Sequence, residues 1–371
     1  MMSTLRPAIE DSRVPLYIQI RKSILHELSS GLNLGDRIPT EHELSSRYGV
    51  NRGTVRKAVT AMVDDGLLVR VQGKGTFLSR SPTEEVVEPR VWDIALCVPT
   101  VAGDLMFNPF YAQVVEAVIA SHEESAHITI HRLDESMATF TRIRERITGK
   151  GADGVLIVGN VSDAVVERFK TLSVPVVLGD MATNDDSVDA IVTDNMDASM
   201  QAVEYLIGLG HRRIATIAGP AGDRSCARRL KGYRTALSAN GIPVDDGLIV
   251  RTTALNHERG NAAMNALLAS GQDFTAVLAA NDAVALGAIV SATARDVDIP
   301  GDISVIGFDD IQGASVSTPS LTTMRVDKEQ MGMLIIERML SRLWTYYLAP
   351  QRIMLSAKLV VRDSCRAIEP S

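Results

Sequence analysis

The sequence predicts an α/β protein in two unequal parts: a small helical head closed by a β-hairpin, and a two-lobed body of parallel sheets wrapped by helices. Three observations carry this. Between Gly49 and Val59 a turn runs into a helix with Arg52 and Arg56 on one side and Val55, Ala58, Val59 and Met62 at helical spacing on the other. From Trp92 onward short β-branched runs alternate with amphipathic helices, and the rhythm starts afresh near Arg212. The charge is also split: residues 1–80 hold 12 Lys and Arg against 8 Asp and Glu, and the rest of the chain 26 against 37. A basic head therefore precedes an acidic body, within a formal net charge of −7.

In the head, Leu16, Ile20, Ile24 and Leu28 make an amphipathic helix ended by Gly31. Thr40 caps a second helix from Glu41 to Tyr48, which Gly49 ends, and the Arg52 helix follows. Gly66 to Val71 alternates towards a Gly73-Lys74-Gly75 turn and returns as Thr76-Phe77-Leu78, a hairpin pattern. Three helices and a hairpin make a winged helix-turn-helix, with Gln72-Gly73-Lys74 as the wing tip. His42 is expected on the solvated surface.

The motifs Pro15-Leu16-Tyr17, Gly35-Asp36-Arg37-Ile38-Pro39-Thr40-Glu41, Tyr48-Gly49-Val50-Asn51-Arg52, Thr54-Val55-Arg56 and Gly73-Lys74-Gly75-Thr76-Phe77 occur in the order seen in GntR-family transcription regulators, whose head residues 14 to 79 resemble. The resemblance implies major-groove contacts from Arg52 and Arg56 and minor-groove contacts from Gly73 and Lys74. The DNA-facing set is completed by Thr40, Glu41, Asn51 and Thr54. Asn51 stands where the family usually has Ser or Thr, and Gly53 is a weak helix former near the start of the recognition helix.

Residues 81–90 carry Pro82, Pro89, Glu84, Glu85 and Glu88 without helical or strand period, and divide a 1–80 DNA-binding domain from a 91–371 body as a linker. Their carboxylates would be repelled by phosphates, so no minor-groove kink is expected from them. In the body the clearest strand runs are Ile94 to Val98, Gly154 to Val158, Val174 to Leu178, Ile214 to Ala218, Ala276 to Ala279 and Ile303 to Ile306. In open α/β sheets ligands sit beyond the carboxyl ends of the strands, where this chain places Asp180, Asn281, Asp282, Asp309 and Asp310. Arg229 follows the Gly219-Pro220 loop. Planar carboxylates, an amide and a guanidinium can hydrogen-bond adjacent hydroxyls in pairs, which is sugar-like chemistry.

The series Asp194-Asn195, Leu209-Gly210-His211-Arg212-Arg213-Ile214, Arg229-Leu230-Lys231-Gly232-Tyr233, Ala280-Asn281-Asp282, Ile306-Gly307-Phe308-Asp309-Asp310 and Pro319-Ser320-Leu321-Thr322-Thr323 resembles the effector core of the lactose/galactose-repressor superfamily. That family is related to periplasmic sugar-binding proteins and closes two lobes on a small effector. The resemblance implies polar effector contacts from Arg229, Asn281 and Asp309, secondary ones from Asp180 and Ser225, and a first-lobe contact from Phe110. Leu255 stands where members often place an aromatic that stacks on the ligand. A GntR-type head on this body is similar to arabinose-responsive repressors. Asp194-Asn195 is expected to cap a helix, His211 to end one, and Cys226 to be a small neutral side chain.

These residues imply a cytoplasmic regulator with operator DNA and a small sugar as partners, dimeric through the body, and a repressor of carbohydrate-catabolic genes released by that sugar. A transcriptional activator, or a non-sugar effector such as a nucleobase, is the alternative. Cys97, Cys226 and Cys365 suggest neither a disulfide framework nor zinc, and nothing calls for a metal or cofactor. No His-Glu-x-x-His, Gly-x-Ser-x-Gly or phosphate-loop lysine motif points to an enzyme. An exported transport protein would need a signal peptide, and Met1 to Glu10 has no apolar core for one.

Overall fold

The computed structural model describes residues 16–368 except 32, 34, 65, 72, 80–90, 100–107, 182, 184 and 345–348. The expected linker at 81–90 and the wing-tip Gln72 lie outside the described residues. The chain divides after Val91 into two compact units.

The head consists of helices α1 (Leu16–Gly31), α2 (Glu41–Tyr48) and α3 (Arg52–Asp64) and an antiparallel hairpin of β1 (Leu68–Val71) and β2 (Gly75–Leu78). Its core is Ile20, Ile24, Leu28, Leu44, Val55, Val59 and Met62, the apolar stripes of the three helices, closed by Leu68 and Leu78 of the hairpin. Thr40 and Glu43 form a reciprocal capping box that starts α2, and Gly49 ends it at φ 67° with its N–H on the Ser45 carbonyl. Positive φ at that position is why a glycine stands there.

The body begins with lobe 1: β3 (Trp92–Pro99), α4 (Pro109–Ala120), β4 (Ala126–Leu133), α5 (Met137–Lys150), β5 (Gly154–Val158), α6 (Asp163–Lys170), β6 (Val176–Gly179) and β7 (Asp189–Thr193). The chain then crosses to lobe 2: α7 (Asn195–Gly208), β8 (Ile214–Ala218), α8 (Arg224–Ala239), β9 (Ile249–Arg251), α9 (His257–Ala269), β10 (Ala276–Ala279), α10 (Asp282–Thr293), β11 (Ser304–Asp309), α11 (Gln312–Val316) and β12 (Thr322–Arg325). It returns through α12 (Lys328–Trp344) and β13 (Arg352–Leu355), and crosses a last time to β14 (Lys358–Val360). The sheets run β13-β7-β6-β5-β3-β4 and β14-β12-β11-β10-β8-β9, parallel throughout except for β14.

Strands covered on both faces read as continuous apolar runs, and Gly154-Val155-Leu156-Ile157-Val158 is buried at every position. Each sheet has one face in a cluster of its own, and the two remaining faces join in a single core that also takes in α7 and α12. The lobes therefore share a hydrophobic spine through the crossovers. In lobe 1, Asp189 is buried between Arg338 and Arg342 of α12 and accepts Arg338 Nε at 2.5 Å, which ties the helix to β7.

Among the described residues three crossovers connect the lobes, at Thr193 to Asn195, Val326 to Lys328 and Leu355 to Lys358. The first and third are tied together by the Asp194 N–H on the Leu355 carbonyl at 2.8 Å. His211, expected to end a helix, lies three residues beyond α7 and is fully buried. Its ring nitrogens meet Thr275 Oγ1 at 2.8 Å, Ser304 Oγ at 3.0 Å and the Arg366 carbonyl at 3.2 Å, so it braces β10, β11 and the chain end. Burial lowers its pKa, so it serves there as a neutral imidazole.

Candidate functional site

On the head, α3 presents Arg52 and Arg56 to solvent, with Lys74 exposed at the hairpin turn and His42 exposed on α2. Asn51 accepts the Thr54 N–H at 2.8 Å and so caps α3, as a Ser or Thr would. Thr40 likewise spends its hydroxyl in the capping box. Glu41 is not a free acceptor. Its carboxylate receives Arg56 Nε at 3.0 Å and Arg70 Nη2 at 3.1 Å, joining the recognition helix to β1. Arg70 also donates to Thr60 Oγ1. Sequence reasoning missed Arg70, because its partners lie 29 and 10 residues away and only the folded hairpin brings them together.

In the body, polar side chains collect beyond the carboxyl ends of both sheets. From lobe 2, Asp309 ends β11 at φ 104°, Asn281 caps α10 through the Val284 N–H at 3.0 Å, and Arg229 projects from the buried face of α8. Asn281 also acts on the Asp309 carboxyl, favouring its charged form. Arg229 is held from four sides: Nε on Asn195 Oδ1 at 2.7 Å, Nη1 on the Ala280 carbonyl at 2.5 Å, Nη2 facing Asp309 at 3.5 Å, and the guanidinium 3.6 Å above the Phe308 ring. From lobe 1, Asp180 follows β6 at φ 53° and accepts the Tyr111 hydroxyl at 3.0 Å. Phe110 sits edge-on to Tyr111, with centroids 5.2 Å apart. Arg229, Asp309 and Asp223 all act electrostatically on Asp180, so the two lobes face each other across one polar site.

Ser225 is half-buried in the first turn of α8, and Leu255 is half-buried against the lobe-2 core, close enough that a Cβ at Gly219 would lie 2.9 Å from its Cδ2. Asp282 and Asp310 belong to the frame. Asp282 is fully buried and accepts Thr323 Oγ1 at 2.5 Å and the Ile311 N–H at 2.8 Å, while Asp310 is paired with Arg325 and Arg362, each at 2.6 Å. Asp194 caps α7 as expected, but Asn195 does more, since it holds Arg229.

Lys328, Tyr111 and Asp223 were not singled out by the sequence. The Lys328 ammonium donates to the carbonyls of Asp309 at 2.5 Å, Asp310 at 3.1 Å and Val326 at 3.3 Å. It also lies 6.0 Å from the Phe110 ring centroid. Asp223 caps α8 through the Cys226 N–H. Across the cleft mouth, Asp163 at the start of α6 forms an ion pair with Arg224 at the start of α8.

Burial raises Asp180 to about 7 and Asp309 to about 6, each restrained by Arg229. Both lie above the ordinary 3.8 of an aspartate, so the folded body holds protons that the unfolded chain has released. The associated stability is complete below about pH 4 and is lost as pH rises through the folded values. Asp180→Asn carries no such titration. Relative to the parent it is therefore expected to gain about 1–2 kcal/mol between pH 6 and 8, read as the difference between the two denaturation curves. A constant difference across that range would show that Asp180 is not protonated there.

Among the described residues no group of three or more His, Cys, Asp or Glu could hold a metal ion. Burial raises the Cys97 thiol to about 12 and also raises Cys226. Neither is a thiolate nucleophile near neutral pH. What the two lobes bring together is a set of fixed acceptors and donors beside Phe110, an arrangement suited to binding polar groups. No helix among the described residues is long and apolar enough to cross a membrane.

Comparison with known proteins matches both halves. Residues 16–78 fit the bacterial regulatory proteins of the gntR family, and residues 203–365 fit the periplasmic binding protein-like domain. The chain is 30% identical over 336 residues to the HTH-type transcriptional regulator CelR of Thermobifida fusca, covering 88% of this chain and 98% of that protein. It is 34% identical over 262 residues to the ribose operon repressor of Escherichia coli K12, covering 69% and 78% respectively. Among solved structures it superposes on a complex of the transcriptional regulator CelR with cellobiose at a TM-score of 0.69 and 28% identity, over 88% of this chain and all of that one.

Proposed function

Because the chain belongs to the lactose/galactose-repressor family of transcription regulators and carries a GntR-family head, we propose that it is a repressor released from its operator when a sugar binds between its lobes. The observation that carries this is the convergence of Arg229, Asn281 and Asp309 with Asp180 and Tyr111 of the opposite lobe. Ser225, Phe110 and Leu255 complete the proposed effector site. DNA is met by Arg52 and Arg56 in the major groove and by Gly73 and Lys74 at the wing. Asn51, Thr54 and Thr40 set the ends of the helices that present them, and Glu41 aims Arg56. Residues 81–90 serve as the linker and the body as the dimerisation unit. Such a regulator works in the cytoplasm and carries out no catalytic step.

The test is a mobility-shift titration of the full-length protein on the DNA flanking its own gene, with and without ribose or cellobiose. The complex is expected to dissociate on addition of the effector sugar. Arg52→Ala should weaken operator binding by about 1–3 kcal/mol if the side chain reads a base, with sugar binding unchanged. A protein that binds sugar by calorimetry but holds DNA equally with and without it is not released in this way. Undiminished operator affinity in Arg52→Ala would remove that residue from the DNA face.

A further inference from the structure

We infer that the cleft takes an uncharged ligand rich in hydroxyl donors and discriminates against anionic counterparts such as sugar phosphates and uronates. The inference rests on the reading of this cleft as the effector site and narrows its ligand class.

Three carboxylates act on one another across the cleft: Asp180 from lobe 1, and Asp223 and Asp309 from lobe 2. Among the described residues, the cations placed at the cleft, Arg229, Lys328 and Arg224, are already engaged. Arg229 has its three nitrogens directed to Asn195, the Ala280 carbonyl and Asp309, and its flat face covers Phe308. Lys328 points its ammonium at three main-chain carbonyls. Arg224 is paired with Asp163. Recognition of phosphate or carboxylate uses a guanidinium fork or a set of N–H donors turned towards the ligand. Here the guanidinium is turned towards the protein.

Helix N-termini could supply donors instead, but those of α4, α8 and α10 are capped from within, and α6, which has no side-chain cap at Ser162, opens on the carboxylate of Asp163. Asp223 takes the Cys226 N–H at the start of α8, Asn281 the Val284 N–H at the start of α10, and Asn108 the Phe110 N–H at the start of α4. Among the described residues, an anionic group would thus enter beside like charges without a cation turned to meet it. A hydroxyl is suited to the same surroundings, because each carboxylate accepts its hydrogen and fixed carboxylates match neighbouring hydroxyls. The Tyr111 hydroxyl, which donates to Asp180, shows that geometry within the protein itself.

The test is calorimetric titration of the full-length protein at pH 8 with matched pairs: ribose and ribose 5-phosphate, glucose and glucuronate, adenosine and its 5′-monophosphate. In any pair that binds, the uncharged member is expected to bind at least about tenfold more tightly. Asp180→Asn removes one like charge and should narrow that preference. A charged member binding as tightly as its neutral partner, or a preference unchanged by Asp180→Asn, overturns the inference.

A second arm needs no knowledge of the effector. Inorganic phosphate is compared with sodium chloride at equal ionic strength, reading the thermal midpoint of the parent and of Arg229→Gln. No extra stabilisation, or an equal one in both proteins from the basic head, supports the inference. Stabilisation confined to the parent overturns it. The sugar reading fails separately: adenosine binding while sugars do not would end that reading and leave the charge selection standing. Ribose 5-phosphate binding above ribose would do the reverse.

Discussion

Replacing Arg229 with alanine is expected to destabilise the body by about 3–5 kcal/mol and to abolish the effector response while leaving the head able to bind operator. Arg229 is 8% exposed and stands beside Asp309 and Asp180, so its loss removes the positive charge that restrains both carboxyls. The Ala280 carbonyl and Asn195 Oδ1 lose their donor at the same time. A buried group left unsatisfied costs more than the bond it made was worth. Chemical denaturation gives the stability, and operator titration with and without effector gives the response. A variant as stable as the parent that still releases DNA at the parental effector concentration would falsify the central place given to this side chain.

Lys328→Met has the second-largest expected effect. Methionine keeps the length and apolar stem of the side chain but removes the ammonium that three carbonyls share, two of them on Asp309 and Asp310. Those aspartates adopt φ 104° and 53°, a region that favours glycine, and Lys328 holds their carbonyls in that turn. Hydrogen bonds to a charged donor are worth about 1.5–3 kcal/mol each, so a loss of about 3 kcal/mol is expected after partial relaxation. Because the same turn aims the Asp309 carboxylate, effector affinity should fall with stability. Lys328→Arg should recover part of both. Weakened stability with unchanged effector affinity would make Lys328 a brace of the crossover alone.

The sequence made some of these features legible and hid others for identifiable reasons. The head could be read almost residue by residue, because Thr40, Gly49 and the Arg52–Arg56 spacing act within a turn or two of their own positions. The buried runs Gly154 to Val158, Ile214 to Ala218 and Ala276 to Ala279 match β5, β8 and β10 at both ends, since strands covered on both faces need apolar side chains throughout. Strand β4 was missed because most of its residues are at least partly exposed and it lies at a sheet edge. Strand β7 was missed because it opens on Asp189, a residue that reads as a turn until Arg338 and Arg342 arrive from about 150 positions away.

The candidate site shows the same division. Asp180, Asn281 and Asp309 follow apolar strands, and their placement could be inferred from strand ends. Lys328 opens an amphipathic helix next to Asp327 and Glu329, where a lysine ordinarily faces water, and only the turn at Asp309 and Asp310 takes it inside. Tyr111 is adjacent to Phe110, and nothing local says which ring carries a polar contact. The pair Asp194-Asn195 reads as a helix cap, which Asp194 supplies, and nothing local marks Asn195 as the partner of Arg229.

The ion pair between Asp163 and Arg224 bears on how sharply the molecule can respond. Its carboxylate side chain is 59% exposed, and a pair so open to water is worth about 0–1 kcal/mol. Taking a two-state molecule from one per cent to ninety-nine per cent occupancy of a given form requires about 5.5 kcal/mol of differential binding. The rim pair can therefore set the empty protein's resting balance and little else. Almost all of the drive must come from a ligand touching both halves at once, and raising the salt should move the midpoint of the dose–response curve only slightly. A ligand engaging one half alone would occupy the cleft without changing the occupancy of either form, and so would behave as a competitive antagonist of the natural effector.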